Sequence, residues 1–280
     1  MMLFSQRKGY KPLKNIIQKD NIDEDLRNGL WNCFTRFYKK LYQLDSLYNE
    51  YLLKLLDSIW DSYFKKPIDT IPKISEAYNF LRTYFFECKW YEVYDFIEFI
   101  LNNNDFIPSY LLIEFARSCN KVLERENSAF RIINNKYIIE ITSEEEINAI
   151  ENVLNLPNDY KVIRLHLEEA IKLLSNRESK DPHKYRNSIK ESISAVEAIC
   201  REVSGKDKAT LGDALKAIAK NNVIHPALKE AFEKLYGYTN DAEGIRHALL
   251  EEPNLNYEDA LYMVVTCSAF VNYLIQKSNK

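Results

Sequence analysis

The sequence predicts a mainly α-helical protein that contains one β-hairpin. Only 6 glycines and 8 prolines occur among 280 residues, which favours long helices over a sandwich or a barrel. Apolar residues recur every three or four positions through most of the chain, which is the period of a helix that buries one face. We therefore expect a helical N-terminal domain over residues 1–156, with a hairpin near 129–141, and a helical bundle over 157–280.

The N-terminal domain is predicted to be a series of aromatic-rich helices. The first covers 23–44, where Leu26, Leu30 and Phe34 stand at helical spacing. Further helices are expected over 47–64, 75–87 with Ser75 as its cap, 90–102, and 108–126 with Pro108 in its first turn. The tyrosines and phenylalanines could stack on nucleobases, but their three-to-four spacing favours packing in a core.

Two short β-branched segments interrupt the helices. They flank Asn134 and Asn135, and asparagine tolerates the positive φ of a tight turn, so the pattern predicts a hairpin. Ser143 follows, and Glu146 stands three residues later, which predicts a helix that starts with a capping box. The domain boundary is expected within 154–159.

The C-terminal domain reads as amphipathic helices joined by short breaks. They are predicted over 160–176, 185–203 with Gly205 as the C-cap, 210–220 with Thr210 as the N-cap, 226–236, and 256–276. The last helix has a broad apolar face, formed by Ala260, Leu261, Val264, Cys267, Val271 and Ile275. Such a face suggests a partner, most simply a second copy of the chain.

Composition excludes several classes of protein. The formal net charge is -3, so a nucleic-acid site would have to be a local patch. The five cysteines are widely spaced without a Cys/His cluster, which predicts reduced cytoplasmic thiols and no zinc. Neither a signal peptide nor a membrane span of about 18 apolar residues is expected. Phosphate-binding loops and dinucleotide fingerprints are absent from the sequence, so no cofactor is predicted.

The best candidate for chemistry lies within residues 236–250, where Arg246 and His247 follow a polar turn with a glycine at each side. A histidine can transfer a proton near neutral pH, and an arginine can hold a phosphate with two hydrogen bonds. Neighbouring helical residues point about 100° apart, but both could still reach one phosphate at a helix N-terminus. Alternatively, His247 packs in the core and Arg246 pairs with a nearby glutamate.

Glu197 is a second candidate, because it stands at the edge of an apolar helical stripe. A half-buried carboxylate requires a partner, and this one could hold Arg246 or His247 in place. An ion pair with Arg201, four residues later on an exposed face, explains the same spacing. His183 and His225 precede helices and read as turn residues, whereas His166 shows no partner in the sequence.

Residues 185–275 resemble a HEPN domain of the kind found in AbiJ-related abortive-infection proteins. The similarity lies in YRNSIKESISAVE at 185–197, TLGDAL at 210–215, GIRH at 244–247 and CSAFVNYL at 267–274. Residues 3–155 resemble the N-terminal domain that precedes HEPN domains in such proteins. There the matching segments are LFSQRKGYKP at 3–12, DLRN at 25–28 and FRII at 130–133.

The resemblance implies a dimeric, all-α, metal-independent ribonuclease of anti-phage defence. His247 matches the histidine of the HEPN motif, whereas Asn240, Asp241 and Ala242 stand where the motif has its arginine. Arg246 and His247 are therefore the implied catalytic residues.

Glu197, Asn240 and Asp241 are the implied supporting polar residues. The implied partners are RNA, a second copy of the chain, and an antitoxin or phage-derived trigger at the N-terminal domain. The alternative is an inactive HEPN module that dimerises and binds RNA, a nucleotide or a protein partner.

Overall fold

The computed structural model describes residues 17–44, 48–103, 105–175, 183–206, 208–221, 223–241 and 255–278, together with Phe4 and Lys8; for 238–241 only the backbone is described. Within these residues the chain forms eleven α-helices and one two-stranded sheet, which confirms the predicted mainly α fold. The chain divides into two compact units, Met1–Thr142 and Ser143–Lys280. No helix in the described part is both long enough and apolar enough to cross a membrane.

The first unit contains five described helices followed by the hairpin. Their bounds are α1 Glu24–Leu44, α2 Glu50–Ser58, α3 Ile74–Glu87, α4 Trp90–Asn102, α5 Ser109–Arg125, β1 Phe130–Ile133 and β2 Tyr137–Glu140. Helix α1 packs against α2, α3 and α5, while the hairpin lies against α4 and α5.

Some helix ends differ from the prediction. Ser75 is not the cap of α3, because Ala77 N already donates to the carbonyl of Lys73 and places Ser75 inside the first turn. Pro108 is the N-cap of α5 instead of lying in its first turn. The helix predicted over 47–64 is α2 followed by a wider π turn, Ile59–Tyr63, in which Phe64 N donates to Ile59 O at 2.9 Å.

Aromatic side chains fill the core of the first unit. The ring centroid of Trp31 lies 5.3 Å from those of both Phe34 and Phe85, and that of Phe34 lies 5.1 Å from that of Phe96. All four side chains are buried. This confirms the prediction that the aromatic residues of these helices serve mainly for packing, and such ring pairs stabilise a core beyond their buried area.

The hairpin has the predicted turn. Asn134 and Asn135 both have φ of 54°, in the left-handed region that asparagine tolerates better than other non-glycine residues. Ile133 pairs with Tyr137, and the strands run antiparallel from there.

Both edges of this two-stranded sheet are closed by side chains from helices. On the β1 edge, Asn120 of α5 donates to Ile132 O and accepts from Ile132 N, both at 2.8 Å. On the β2 edge, Glu98 of α4 accepts from Ile138 N at 2.8 Å. A lone hairpin is marginal in water, so these contacts matter for its stability.

The second unit consists of six described helices. Their bounds are α6 Glu144–Leu154, α7 Lys161–Ser175, α8 Lys184–Ser204, α9 Leu211–Lys220, α10 Pro226–Asp241 and α11 Tyr257–Ser278. Three predicted caps are confirmed: Ser143 accepts from Glu146 N, Thr210 accepts from Asp213 N, and Gly205 ends α8 with φ of 65°.

Helix α8 is the central helix of this unit, and it contacts α7, α9, α10 and α11. The fully buried Ser188 donates to the carbonyl of Ala170 on α7 at 2.8 Å, so a small polar residue lets the two backbones approach closely. Helix α11 packs against α6, α7 and α8. Most of its apolar face is thereby buried within the unit, so the breadth of that face does not by itself require a partner.

We expect Asn120→Ala to destabilise the protein by about 1–3 kcal/mol, because the N–H and C=O of the buried Ile132 would lose their partners. Urea unfolding of the full chain measures this change. Asn155→Ala is the matched control, since its exposed amide bonds only the preceding turn and water can replace it. Equal stability of Asn120→Ala and wild type would show that Asn120 does not hold the hairpin.

Gly29→Ala is expected to destabilise the protein by about 1–3 kcal/mol, because a Cβ there would lie 2.5 Å from Val122 Cγ1 where α1 meets α5. The clash outweighs the gain of about 1 kcal/mol in helix propensity. In urea unfolding, Val122→Ala should partly rescue Gly29→Ala. Gly212→Ala, with nothing within 4 Å of its new Cβ, should stabilise instead. A stabilised Gly29→Ala variant would contradict this packing argument.

Candidate functional site

Glu197 lies on α8 with its side chain only 18% exposed, in an environment that supplies two polar partners. Tyr236 of α10 donates its hydroxyl to Glu197 Oε1 at 3.4 Å. The guanidinium of Arg201 lies 3.5 Å from Glu197 Oε2, one helical turn further along α8. The i, i+4 ion pair considered in the sequence analysis is thus present, but on a half-buried face that meets α10.

Arg201 extends this polar network to the segment before α9. Its Nε donates to the carbonyl of Ala209 at 3.1 Å. The same guanidinium therefore contacts Glu197 on one side and the backbone at Ala209 on the other. A guanidinium that contacts two partners has less rotamer freedom, so Arg201 helps to keep the carboxylate of Glu197 in one orientation.

Helix α10 continues beyond its predicted end. Sequence analysis placed the end at Tyr236 and a polar turn after it, but the backbone stays helical through Asp241. Gly237 does not stop the helix, since a single glycine costs a helix interior only about 1 kcal/mol. Asn240 thus lies one turn beyond Tyr236, about 6 Å along the axis. The side chains of Asn240 and Asp241 lie outside what the structure describes.

Arg246 and His247, the predicted catalytic pair, also lie outside the described residues, as does Ala242. The described backbone ends at Asp241 and begins again at Leu255. The structure does show Glu197 in contact with Tyr236, and Tyr236 lies on α10, which precedes the segment of Arg246 and His247 in the chain.

The contact of Tyr236 with Glu197 was not predicted from the sequence. Tyr236 opens the 236–250 segment, but its partner Glu197 is 39 residues earlier in the chain, so no local pattern connects them. Cys200 is close as well, and burial, with a smaller contribution from Glu197, raises the pKa of its thiol to about 12. Cys200 therefore stays protonated near neutral pH and is not a nucleophile there.

The remaining histidines stand elsewhere. His166 Nδ1 lies 2.7 Å from Glu191 Oε2, a pair between α7 and α8 that the sequence did not reveal. Glu191 and Glu197 are six residues apart, which turns them about 120° from one another around α8, so this pair belongs to a different face. His183 and His225 precede helices as predicted, and the ring of His225 accepts from Ala227 N.

Two thiols meet in the first unit. A hydrogen bond with Cys119 lowers the pKa of Cys33, and the nearby Arg36 and Arg125 add to this decrease, whereas burial raises the pKa of Cys119. All five cysteines are free, and both members of this pair are buried. Among the described residues, no three His, Cys, Asp or Glu side chains gather as a metal site would require.

The carboxylate of Glu197 is suited to holding a hydrogen-bond donor in one orientation. A carboxylate fixed by Tyr236 and Arg201 places negative charge beside α10, where it can orient a histidine or an arginine. Charge-assisted hydrogen bonds of this kind are stronger and more directional than neutral ones.

Comparison with known proteins identifies one family. The family AbiJ N-terminal domain 4 matches residues 2–156. No curated protein and no solved structure matches the chain. Since the family match covers more than half of the 280 residues, the chain belongs to the AbiJ N-terminal domain 4 family and is an AbiJ-related abortive-infection protein.

Proposed function

We propose that this protein is a HEPN-type effector of anti-phage defence and that its second unit is an endoribonuclease that needs no metal. Membership of an AbiJ-related family supports the role in defence. The observation that carries the ribonuclease proposal is the half-buried Glu197, fixed against the helix that leads to Arg246 and His247. Cytoplasmic RNA is the proposed substrate, so the proposed site of action is the cytoplasm.

In the proposed mechanism the RNA supplies its own nucleophile. The 2′-oxygen forms a bond to the neighbouring phosphorus, and the bond from phosphorus to the 5′-oxygen breaks. The products are a 2′,3′-cyclic phosphate and a 5′-hydroxyl. His247 transfers a proton to or from a reacting oxygen, and Arg246 stabilises the charge that develops on the phosphoryl oxygens. DNA lacks the 2′-hydroxyl and should not be cut.

Glu197 acts as a positioning residue in this proposal. Its carboxylate favours the protonated form of a nearby imidazole and fixes the orientation of the ring. Tyr236 and Arg201 keep that carboxylate in place. Asn240 and Asp241 are the polar residues nearest to the motif along α10, and they stand where the HEPN motif has an arginine.

A homodimer of the second unit would bring two copies of this motif together. We propose dimerisation through the helical bundle, and recognition of an antitoxin or a phage-derived trigger by the N-terminal domain.

The second candidate is a HEPN module that dimerises and binds RNA, a nucleotide or a protein without catalysis. One observation favours it: Asn240, Asp241 and Ala242 replace the arginine of the usual motif. Without that arginine, transition-state charge would be stabilised by Arg246 alone.

RNA cleavage in EDTA distinguishes the two functions. Purified protein is incubated with total RNA beside the His247→Ala and Arg246→Ala variants. We expect wild type to cut and His247→Ala to lose about 10²–10⁴-fold in rate, since a general acid or base contributes that much. His166→Ala is the matched histidine control and should cut normally, because its pair with Glu191 lies on another face.

Cleavage by every variant would point to a contaminant or to a different site. Absence of cleavage by all of them, with RNA still bound, would favour the binding module.

Glu197→Gln should lower kcat about tenfold with little change in KM, because it removes a positioning charge and no substrate contact. It should also shift the histidine pKa seen in the pH–rate profile downward, since the carboxylate favours the protonated ring. Tyr236→Phe should produce a smaller effect in the same direction. Glu191→Gln removes the same charge from another face of α8, and a pH shift as large in this control would exclude a specific role for Glu197.

A further inference from the structure

An open cavity of about 850 Å³ lies where the end of α8 meets α9. Its charged lining consists of Asp213 and four lysines, Lys206, Lys208, Lys216 and Lys220. We call this cavity the lysine groove. In sequence, residues 204–221 hold these four lysines against two aspartates, a local excess of positive charge in a chain of net charge -3.

The geometry of α9 sets one wall of the groove. Asp213, Lys216 and Lys220 stand at i, i+3 and i+7, so they share a face. Lys216 and Lys220 are one turn apart and repel each other. Asp213, three residues before Lys216, offsets only part of this repulsion, since one carboxylate stands against four lysines, and it also accepts from the hydroxyl of Thr210 at 2.8 Å. A bound anion would relieve the repulsion.

None of the four groove lysines forms a salt bridge with another residue in the described part of the chain. By contrast, the ammonium groups of Lys172 and Lys229 lie 3.0 Å and 2.8 Å from carboxylate oxygens on their own helices. The positive charge of the four groove lysines is therefore not neutralised by ion pairs within the described part of the chain.

The uncharged part of the lining indicates which part of an anionic ligand the groove would hold. Ala209 and Ala217 belong to it and carry only small side chains. Among the described residues, the lining contains no aromatic side chain that could stack on a base. Such a surface recognises phosphates and not bases, which favours the backbone of a polynucleotide over a free nucleotide.

The groove is connected to the candidate catalytic site. Ala209, which lines the groove, accepts from Arg201 through its carbonyl, and Arg201 pairs with Glu197. Glu197 and Ser204, which also lines the groove, are seven residues apart on α8, about 10 Å along its axis. A single strand that lies in the groove can therefore reach Glu197 within a few nucleotides.

We propose that the lysine groove binds the phosphate backbone of single-stranded RNA and holds the substrate near Glu197. This inference rests on the proposed function for the identity of the polyanion. Binding is sequence-independent, and each lysine that neutralises a phosphate releases a counterion, so affinity falls as salt rises.

The test measures binding of a fluorescent 2′-O-methyl RNA, which cannot be cut, over a range of salt concentrations. For four phosphate contacts the slope of log K against log salt is about -2.8, from roughly 0.7 per contact. Lys216→Gln/Lys220→Gln should halve this slope and weaken binding about 25-fold at about 0.1 M salt. Single-stranded DNA of the same sequence should bind similarly.

The control removes the same charge elsewhere in the unit. Lys161→Gln/Lys172→Gln on α7 should leave the slope near its wild-type value. Lys216→Arg/Lys220→Arg should retain binding, since arginine keeps the positive charge, and thermal unfolding confirms that each variant is folded.

Two results would overturn the inference: equal loss of binding in the α7 control, or ATP bound as tightly as the oligonucleotide. Cleavage in EDTA is measured separately. If the groove variant loses binding while no protein cuts RNA, the groove is supported and the ribonuclease is not. If it binds and cuts like wild type, the ribonuclease stands and the groove does not.

Discussion

The second unit depends on one helix that is buried on several sides. Helix α8 contacts α7, α9, α10 and α11, and its stripe of Ile189, Ile193, Val196 and Ile199 is fully buried or nearly so. Each such side chain stabilises the fold by about 1.5–3 kcal/mol when it leaves water. A carboxylate beside this stripe cannot be accommodated without partners, which is why Glu197 meets both Tyr236 and Arg201. The same burial that stabilises the bundle therefore fixes the orientation of its most notable polar group.

Much of the fold follows from local sequence rules. The hairpin was predictable because asparagine is one of the few residues that tolerate positive φ, and two of them stand together at the turn. The caps at Ser143 and Thr210 follow from hydroxyls that accept from free helix N–H groups, and the cap at Gly205 follows from a glycine that adopts positive φ without a Cβ clash. Ser75 was a wrong prediction because Lys73, although it lacks a capping side chain, supplies the first helical carbonyl. Backbone bonding, and not the best local cap, decided that helix start.

The candidate site was predictable only in part, because its contacts are distant in sequence. The spacing of Glu197 and Arg201 on one helix is visible in the chain, and so is their ion pair. The contact from Tyr236 spans 39 residues, the pair of His166 with Glu191 spans 25, and the lysine groove combines two segments of different structure. Periodicity describes one element at a time, so it cannot show which faces meet. Glu191 and Glu197 of α8 illustrate this, because Glu191 faces His166 on α7 whereas Glu197 faces Tyr236 on α10.

Helix α6 links the family-matched region to the second unit. The match extends to residue 156 and includes α6, yet α6 packs against α7 and α11 in the unit that begins at Ser143. Ile150 and Val153 are fully buried there, and Asn272 of α11 donates to the carbonyl of Ala149 at 2.8 Å. Exposing those two side chains alone would cost about 3–6 kcal/mol. Since a domain is typically stable by only about 5–15 kcal/mol, a bundle that lacks α6 would lose a large part of its stability. Helix α6 therefore belongs both to the family-matched region, which ends at residue 156, and to the core of the bundle, which begins at Ser143.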